Sequence, residues 1–450
     1  MPPLSWPAIQ FLPCAAFAPK NMSHPIDMLS AEVRLLLIIA IAALLGLFIY
    51  RARSQAASVE GFATSIKDQV AALSARFDPV AGARRPVTDL LATAAAPPAD
   101  EQCLVNFTAL GALAAGYTGP FDNGYMDPDA AINIAVKAGC RVFVFELDYI
   151  DDCVTAAGTP TYFPKLVFRD IRGRLRTNPE RDATCQSLAT SNIRRAAQAI
   201  ANYAFASQTQ NRDDPVIVVL YSHRMPPKET DALEYMSNIA RALAPLVPRH
   251  VDNLVHGGTF SRQKQEGQLL INNIADYAGR VLIFANMDTT PFREAPPSKY
   301  KASEDLDYLV NLRLSYAQTQ LGVTPSQQKA SFGTLDTTGS FLSIPSDKMD
   351  STAKDIKLKW TILLPTDPEK PADAAAYKTL TDTLGVHCVP LAIWDDANTF
   401  MFEADRFKTY SFIPKPKELR YRKPPVQVPQ PAKKEMDANG GKLRAPTVSS

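Results

Sequence analysis

Gly139-Cys140-Arg141-Val142-Phe143-Val144-Phe145-Glu146-Leu147-Asp148 runs from a glycine into four consecutive hydrophobes and ends on two carboxylates spaced i, i+2. Val and Phe in an unbroken run suit a strand covered on both faces, as in a parallel sheet. The two-residue period of a strand puts Glu146 and Asp148 on one side, at its C-terminal end. In a parallel α/β barrel that end collects catalytic and metal-binding groups, and a Glu-x-Asp there is half of a divalent-cation site. Just upstream, Asp127-Pro128 followed by Ala130–Ala138 predicts a capped helix closed by Gly139.

This unit of helix, glycine, strand and acidic pair resembles phosphatidylinositol-specific phospholipase C, which has a Gly-Cys-Arg-x-Val-Glu-Leu-Asp segment at its second barrel strand. Three further segments agree in order. Asp214-Pro215-Val216-Ile217-Val218-Val219-Leu220-Tyr221-Ser222-His223 is similar to the family's fourth strand, and Gly385-Val386-His387-Cys388-Val389-Pro390-Leu391 to its seventh. Tyr410-Ser411-Phe412-Ile413-Pro414-Lys415-Pro416-Lys417-Glu418-Leu419-Arg420 is similar to its closing segment. The resemblance spans about residues 100–422 and implies a (β/α)8 TIM-type barrel.

The same resemblance implies a site from which chemistry has been removed. The family uses two histidines, because attack by the inositol hydroxyl needs one proton removed and one delivered. Here Ala112-Leu113-Ala114-Ala115-Gly116-Tyr117 holds no titratable group before the tyrosine, and Lys165-Leu166-Val167-Phe168-Arg169-Asp170 places Arg169 at the second histidine. Tyr221 stands at the family's strand-four glutamate and Ala114 at its asparagine, so Glu146 and Asp148 are what is left of four implied Ca²⁺ ligands. Ca²⁺ prefers six to eight oxygens, which two carboxylates do not supply. Arginine cannot shuttle protons but can hold a phosphate.

The expectation is therefore a degenerate barrel that binds a lipid head group or another anion without cleaving it. Arg169, Asp170, Tyr221 and His223 would line the remnant pocket, with Arg169 and Asn286 as anion contacts and no residue assigned catalysis. The alternative is an active metal-dependent phosphoric diester hydrolase of phospholipase or glycerophosphodiesterase type, with Asp170 or Asp288 completing a metal site on Glu146 and Asp148. A third reading makes the barrel a spacer in an adaptor. Of the five histidines, His223 follows the fourth strand and could face the mouth, and His387 opens the seventh at the opposite end. His24, His250 and His256 are given no role.

A net charge of +2 with no strongly basic segment before the tail gives no case for nucleic acid. The six cysteines show no zinc spacing, and Cys103, Cys140 and Cys388 fall in apolar stretches where a thiol is a small buried hydrophobe. A reducing compartment is the simpler reading.

The chain divides into an N-terminal segment (1–30), a membrane span (31–53), an amphipathic helix (54–93), a first barrel half (99–287), an insertion (288–358), a second half (359–422) and a disordered tail (423–450). Leu35–Tyr50 is an uncharged run of sixteen residues flanked by Arg34, Arg51 and Arg53. At 1.5 Å per residue it covers about 24 Å, which Val33 and snorkelling arginines extend. Arg51, Arg53 and Lys67 lean the barrel toward the cytoplasm or a virion interior. A span before a degenerate barrel is similar to divergent family members of large DNA viruses. Met22 is a second candidate start. Val59, Phe62, Ile66, Val70, Leu73 and Phe77 recur at helical spacing, as a stalk or as a helix packed on the barrel's side. That helix and the tail are the expected protein contacts.

Eight strands are expected: Cys103–Phe107, Val142–Asp148, Lys165–Phe168, Val216–Tyr221, Arg280–Asn286, Lys359–Leu364, Val386–Ile393 and Thr409–Ile413. Helical patterns lie between them at Asn192–Phe205, Thr230–Leu246, Ser261–Tyr277 and Glu304–Leu321.

Overall fold

Gly139 takes φ 95°, a left-handed backbone that only glycine adopts freely, and so turns the helix Pro128–Ala138 into the strand that follows. Asp127 caps that helix, its carboxylate accepting from the Ala130 amide. The computed structural model describes residues 66–119, 126–149, 162–169, 175–176, 188–251, 268–289, 291–294, 304–316, 333–367, 373–395, 401 and 405–423, all within one compact unit, Ser65–Ser450.

The strands, in chain order, are β1 (Phe107–Ala109), β2 (Gly111–Ala112), β3 (Val142–Tyr149), β4 (Pro164–Leu166), β5 (Phe168–Arg169) and β6 (Leu175–Arg176). Then come β7 (Val216–Ser222), β8 (Val281–Ala285), β9 (Leu312–Tyr316), β10 (Gly333–Thr337), β11 (Trp360–Leu364) and β12 (Phe412–Pro414). The main sheet runs β11-β10-β9-β8-β7-β3-β2 with every pair parallel, and β4 adds antiparallel to the end of β3. Residues 387–391 bond both outer strands: the His387 amide donates to Thr361 O at 3.0 Å, and the Leu391 amide to Gly111 O at 2.9 Å. A sheet whose two edges meet the same short segment is curled on itself. The result is an α/β fold on a curved parallel sheet.

Val142, Phe143, Val144 and Phe145 are fully buried, and Phe284 on β8 meets Trp360 on β11 edge to face at 4.8 Å. The helices Leu188–Tyr203 and Glu229–Ala242 present buried faces to this layer through residues such as Ile193, Ile200, Leu233 and Ile239. The helix Ile66–Ala81 buries Leu73 and Phe77, pairs Asp78 with Lys137 at 2.7 Å and bonds Thr118 O through Gln69. Its described part thus packs on the flank of the sheet.

Several strand expectations are corrected. The first strand of the parallel sheet is β2, Gly111–Ala112, whereas Leu104–Asn106 within the expected Cys103–Phe107 is a 3-10 turn. Two residues are too few to display a period, and Gly111 is required because a Cβ there would lie 2.5 Å from Cys388 Sγ. Lys165–Phe168 is divided between β4 and β5, both antiparallel, and supplies no parallel strand. Two parallel strands come from the expected insertion: β9 lies inside the expected helix Glu304–Leu321, after a short turn Leu306–Leu309, and β10 follows it. The expected last strand shifts to β12, which pairs antiparallel with β1 outside the main sheet. The end of the expected helix Ser261–Tyr277 is two 3-10 turns, Leu269–Ile271 and Ile274–Tyr277.

The run Leu35–Tyr50, the rest of residues 1–65, Asp170, His256 and the tail from 424 lie outside the described residues. Among the described residues no helix is long and apolar enough to cross a membrane.

Candidate functional site

Parallel register pairs Glu146 on β3 with Tyr221 on β7 and Leu147 with Ser222. Partners in register face the same way, so Glu146, Asp148, Tyr221 and His223 share one side at the C-terminal ends of the two strands. All four are buried. His223 Nε2 lies 2.9 Å from Glu146 Oε2, and the His223 ring is tilted against that of Tyr221 at 4.3 Å.

Asp148 is engaged by the next residue of the chain. Arg224 donates from Nε to Oδ1 at 2.8 Å and from Nη2 to Oδ2 at 3.0 Å, a two-pronged pair with a carboxylate of matching geometry. A third bond runs from Nη2 to Tyr149 O at 3.1 Å, and the guanidinium lies 4.2 Å over the Tyr149 ring. Behind it, Ser222 Oγ donates to Arg224 O at 2.7 Å and meets Tyr235 OH at 3.2 Å. Burial holds the Tyr235 phenol well above its ordinary range, as a neutral hydrogen-bonding group. Sequence reasoning passed over Arg224, although a His-Arg pair directly after the fourth strand, beside an acidic pair directly ending the second, is a visible signal.

The other expected residues are spread more widely. Asn286 accepts from the Ser222 amide at 2.8 Å and donates to Ser222 O at 3.0 Å, so its amide continues the β7–β8 pairing and is spent on backbone. Arg169 sits on the β5–β6 hairpin, half-buried, with no ion pair among the described residues. Asp288 is bound to Arg313 at 2.9 Å. His387 lies at the opposite end, accepting from the Thr361 amide at 2.9 Å and contacting Val105 O at 2.8 Å, and His250 contacts Leu309 O.

A hard cation needs several free oxygens converging on one point. Asp148 presents both of its oxygens to Arg224, and Glu146 one of its own to His223. Among the described residues no three His, Cys, Asp or Glu side chains cluster to hold a metal. Ala114, just after β2, offers no side-chain oxygen, and its φ of 44° lies in the left-handed region. Among the described residues the donor set does not fit Ca²⁺.

Aromatic rings fill the neighbouring part of the mouth. Tyr117 follows β2, Phe168 follows β4, and Trp394 follows residues 387–391. The rings of Tyr117 and Phe168 stack at 3.7 Å and 16°, while Trp394 meets Tyr117 edge-on at 4.9 Å. Gly119, at φ 67°, lets the chain pass the indole, since a Cβ there would land on the Trp394 ring.

No family model and no curated protein matches this chain. Among solved structures it is similar to L. pealei PLC21, at 13% identity and a TM-score of 0.42, over 71% of this chain and 38% of that one. It is also similar to the calcium-dependent phosphoinositol-specific phospholipase C of a Pseudomonas species, at 12% identity and TM-score 0.38, covering 71% of this chain and 97% of the other. The Ca²⁺-dependent phosphatidylinositol-specific phospholipase C of Streptomyces antibioticus gives 14% identity and TM-score 0.38, over 70% and 99%.

Proposed function

We propose that this chain is a membrane-anchored, phospholipase-C-like barrel without phospholipase activity, serving as a binding or structural component. The eight staves are β2, β3, β7, β8, β9, β10, β11 and residues 387–391. The anchor is the apolar run Leu35–Tyr50. One observation carries the reading: the acidic pair ending β3 is already engaged by the chain's own side chains, Glu146 by His223 and Asp148 by Arg224. A dication would have to displace a bidentate arginine from a buried carboxylate. The absence of both family histidines removes the acid and base as well. Arg169 is then the cation that the resemblance offers for a phosphate or another anionic head group.

The contact at 2.9 Å between His223 and Glu146 favours a second reading, a hydrolase with a rearranged site. A carboxylate that orients a histidine is the arrangement of a general base.

The test is hydrolysis of phosphatidylinositol by the full chain in neutral detergent, with calorimetric Ca²⁺ titration, beside Glu146→Gln and His223→Ala. The expected result is no turnover and no Ca²⁺ binding. Turnover that needs Ca²⁺ and disappears in Glu146→Gln overturns the proposal. Turnover without Ca²⁺ that disappears in His223→Ala establishes the second reading.

A further inference from the structure

At the N-terminal ends of the strands the surface differs in kind from the mouth. The helix Ser346–Ile356 runs into the loop before β11, and the 3-10 turn Lys417–Leu419 follows β12, whose partner β1 leads into β2. Together they enclose an open groove of about 660 Å³, lined by five cations, Lys354, Lys357, Lys417, Arg420 and Arg422, against one carboxylate, Glu418. Glu101, itself buried, anchors the two arginines, at 3.3 Å from Arg420 and 2.6 Å from Arg422. Among the described residues Lys354, Lys357 and Lys417 have no carboxylate within ion-pair distance, whereas neighbouring Lys359 is tied to Asp355 at 2.8 Å. A chain of net charge +2 thus gathers five cations around this groove, of which three lysines have no carboxylate partner among the described residues.

Leu358 decides between occupants. It lies on the groove between Lys357 and Lys359 and, at 55% exposure, is the most exposed large hydrophobe among the described residues. Tyr421 lines the same groove, half-buried. A free phosphate has no use for a leucine at its rim. A bilayer does: the apolar side chain enters below the phosphates, lysine stems lie along it, and the ammonium groups meet the head groups. We infer that this groove docks the N-terminal end of the barrel on a membrane surface rich in anionic phospholipid. The inference is independent of whether the site at the mouth hydrolyses anything.

Hydrogen exchange of the full chain, mixed with an excess of lipid nanodiscs, tests it. Discs of phosphatidylcholine alone are compared with discs containing phosphatidylserine, and exchange is followed at residues 354–358 and 417–423. Co-elution with the neutral discs reports separately on the Leu35–Tyr50 anchor. Protection is expected only with phosphatidylserine, weakened in Leu358→Ser and lost in the combined Lys354→Glu, Lys357→Glu and Lys417→Glu variant. Each lysine removed should weaken docking about fivefold. Equal exchange in the two kinds of disc, or protection that survives the triple variant, overturns the inference. Protection by millimolar pyrophosphate in neutral discs that matches phosphatidylserine and ignores Leu358→Ser also overturns it, and makes the groove a small-anion pocket.

Discussion

Lys415 is fully buried, with Nζ 2.6 Å from His387 Nε2. Nδ1 of that histidine accepts from the Thr361 amide, so its ring proton sits on Nε2, which faces both Val105 O and the lysine. A charged ammonium has no lone pair to receive that proton. An uncharged amine suits this contact better, in line with burial pushing Lys415 well below 10.5 and His387 well below 6.5. Between the depressed folded value and 10.5 the unfolded chain binds more protons at this lysine, so its linkage makes stability rise with pH across that window. Lys415→Met should flatten that rise and stabilise the chain at neutral pH by about 1 kcal/mol or more. Urea melts at a series of pH values check this; an unchanged slope would mean that the lysine is charged. At this scale the sequence was partly legible. Glu146 and Asp148 could be placed from strand period alone, because both lie on one continuous strand. His223 could be placed at the mouth and Arg224 beside it from their position after the fourth strand, but which carboxylate each meets depends on the register between strands distant in sequence, which no local pattern encodes.

Register and length also explain which elements could be read. β3 and β7, strands of eight and seven residues, announce themselves through buried apolar runs of four and six. β9 is masked because Leu306, Leu309 and Val310 set up a helical spacing that runs straight into the alternation Leu312, Leu314, Tyr316. β10, Gly333-Thr334-Leu335-Asp336-Thr337, has a single large hydrophobe. Its glycine shows what tertiary packing asked for: a Cβ on Gly333 would lie 2.5 Å from Leu314 Cδ2 and 3.0 Å from Leu312 Cδ2. β9 and β10 pair at this point, Gly333 opposite Leu314. Gly333→Val has the better strand propensity yet should lower stability by about 2 kcal/mol through overpacking. Denaturation monitored by circular dichroism distinguishes the two effects, and a stabilised variant would mean that β9 and β10 sit further apart.

Parallel barrels ordinarily keep function at the C-terminal ends of their strands and stability at the other. The function and docking proposed here reverse those assignments. At the C-terminal end, Tyr117, Phe168 and Trp394 pack ring on ring, and Arg224 and His223 close over the acidic pair. At the N-terminal end lie lysines without a carboxylate partner among the described residues, and an exposed leucine, groups that cost little to remove. The reversal predicts how alanine substitutions distribute. Tyr117→Ala, which deletes a fully buried ring stacked on one neighbour and edge-on to another, should cost about 3–5 kcal/mol. Lys354→Ala, Lys357→Ala and Leu358→Ala should each stay within about 0.5 kcal/mol, as surface changes away from packed features do. Thermal melts of the full-chain variants measure both sets. Should Tyr117→Ala prove neutral while the groove variants unfold the chain, the mouth is a free surface after all, and the ordinary division of a barrel applies to this one.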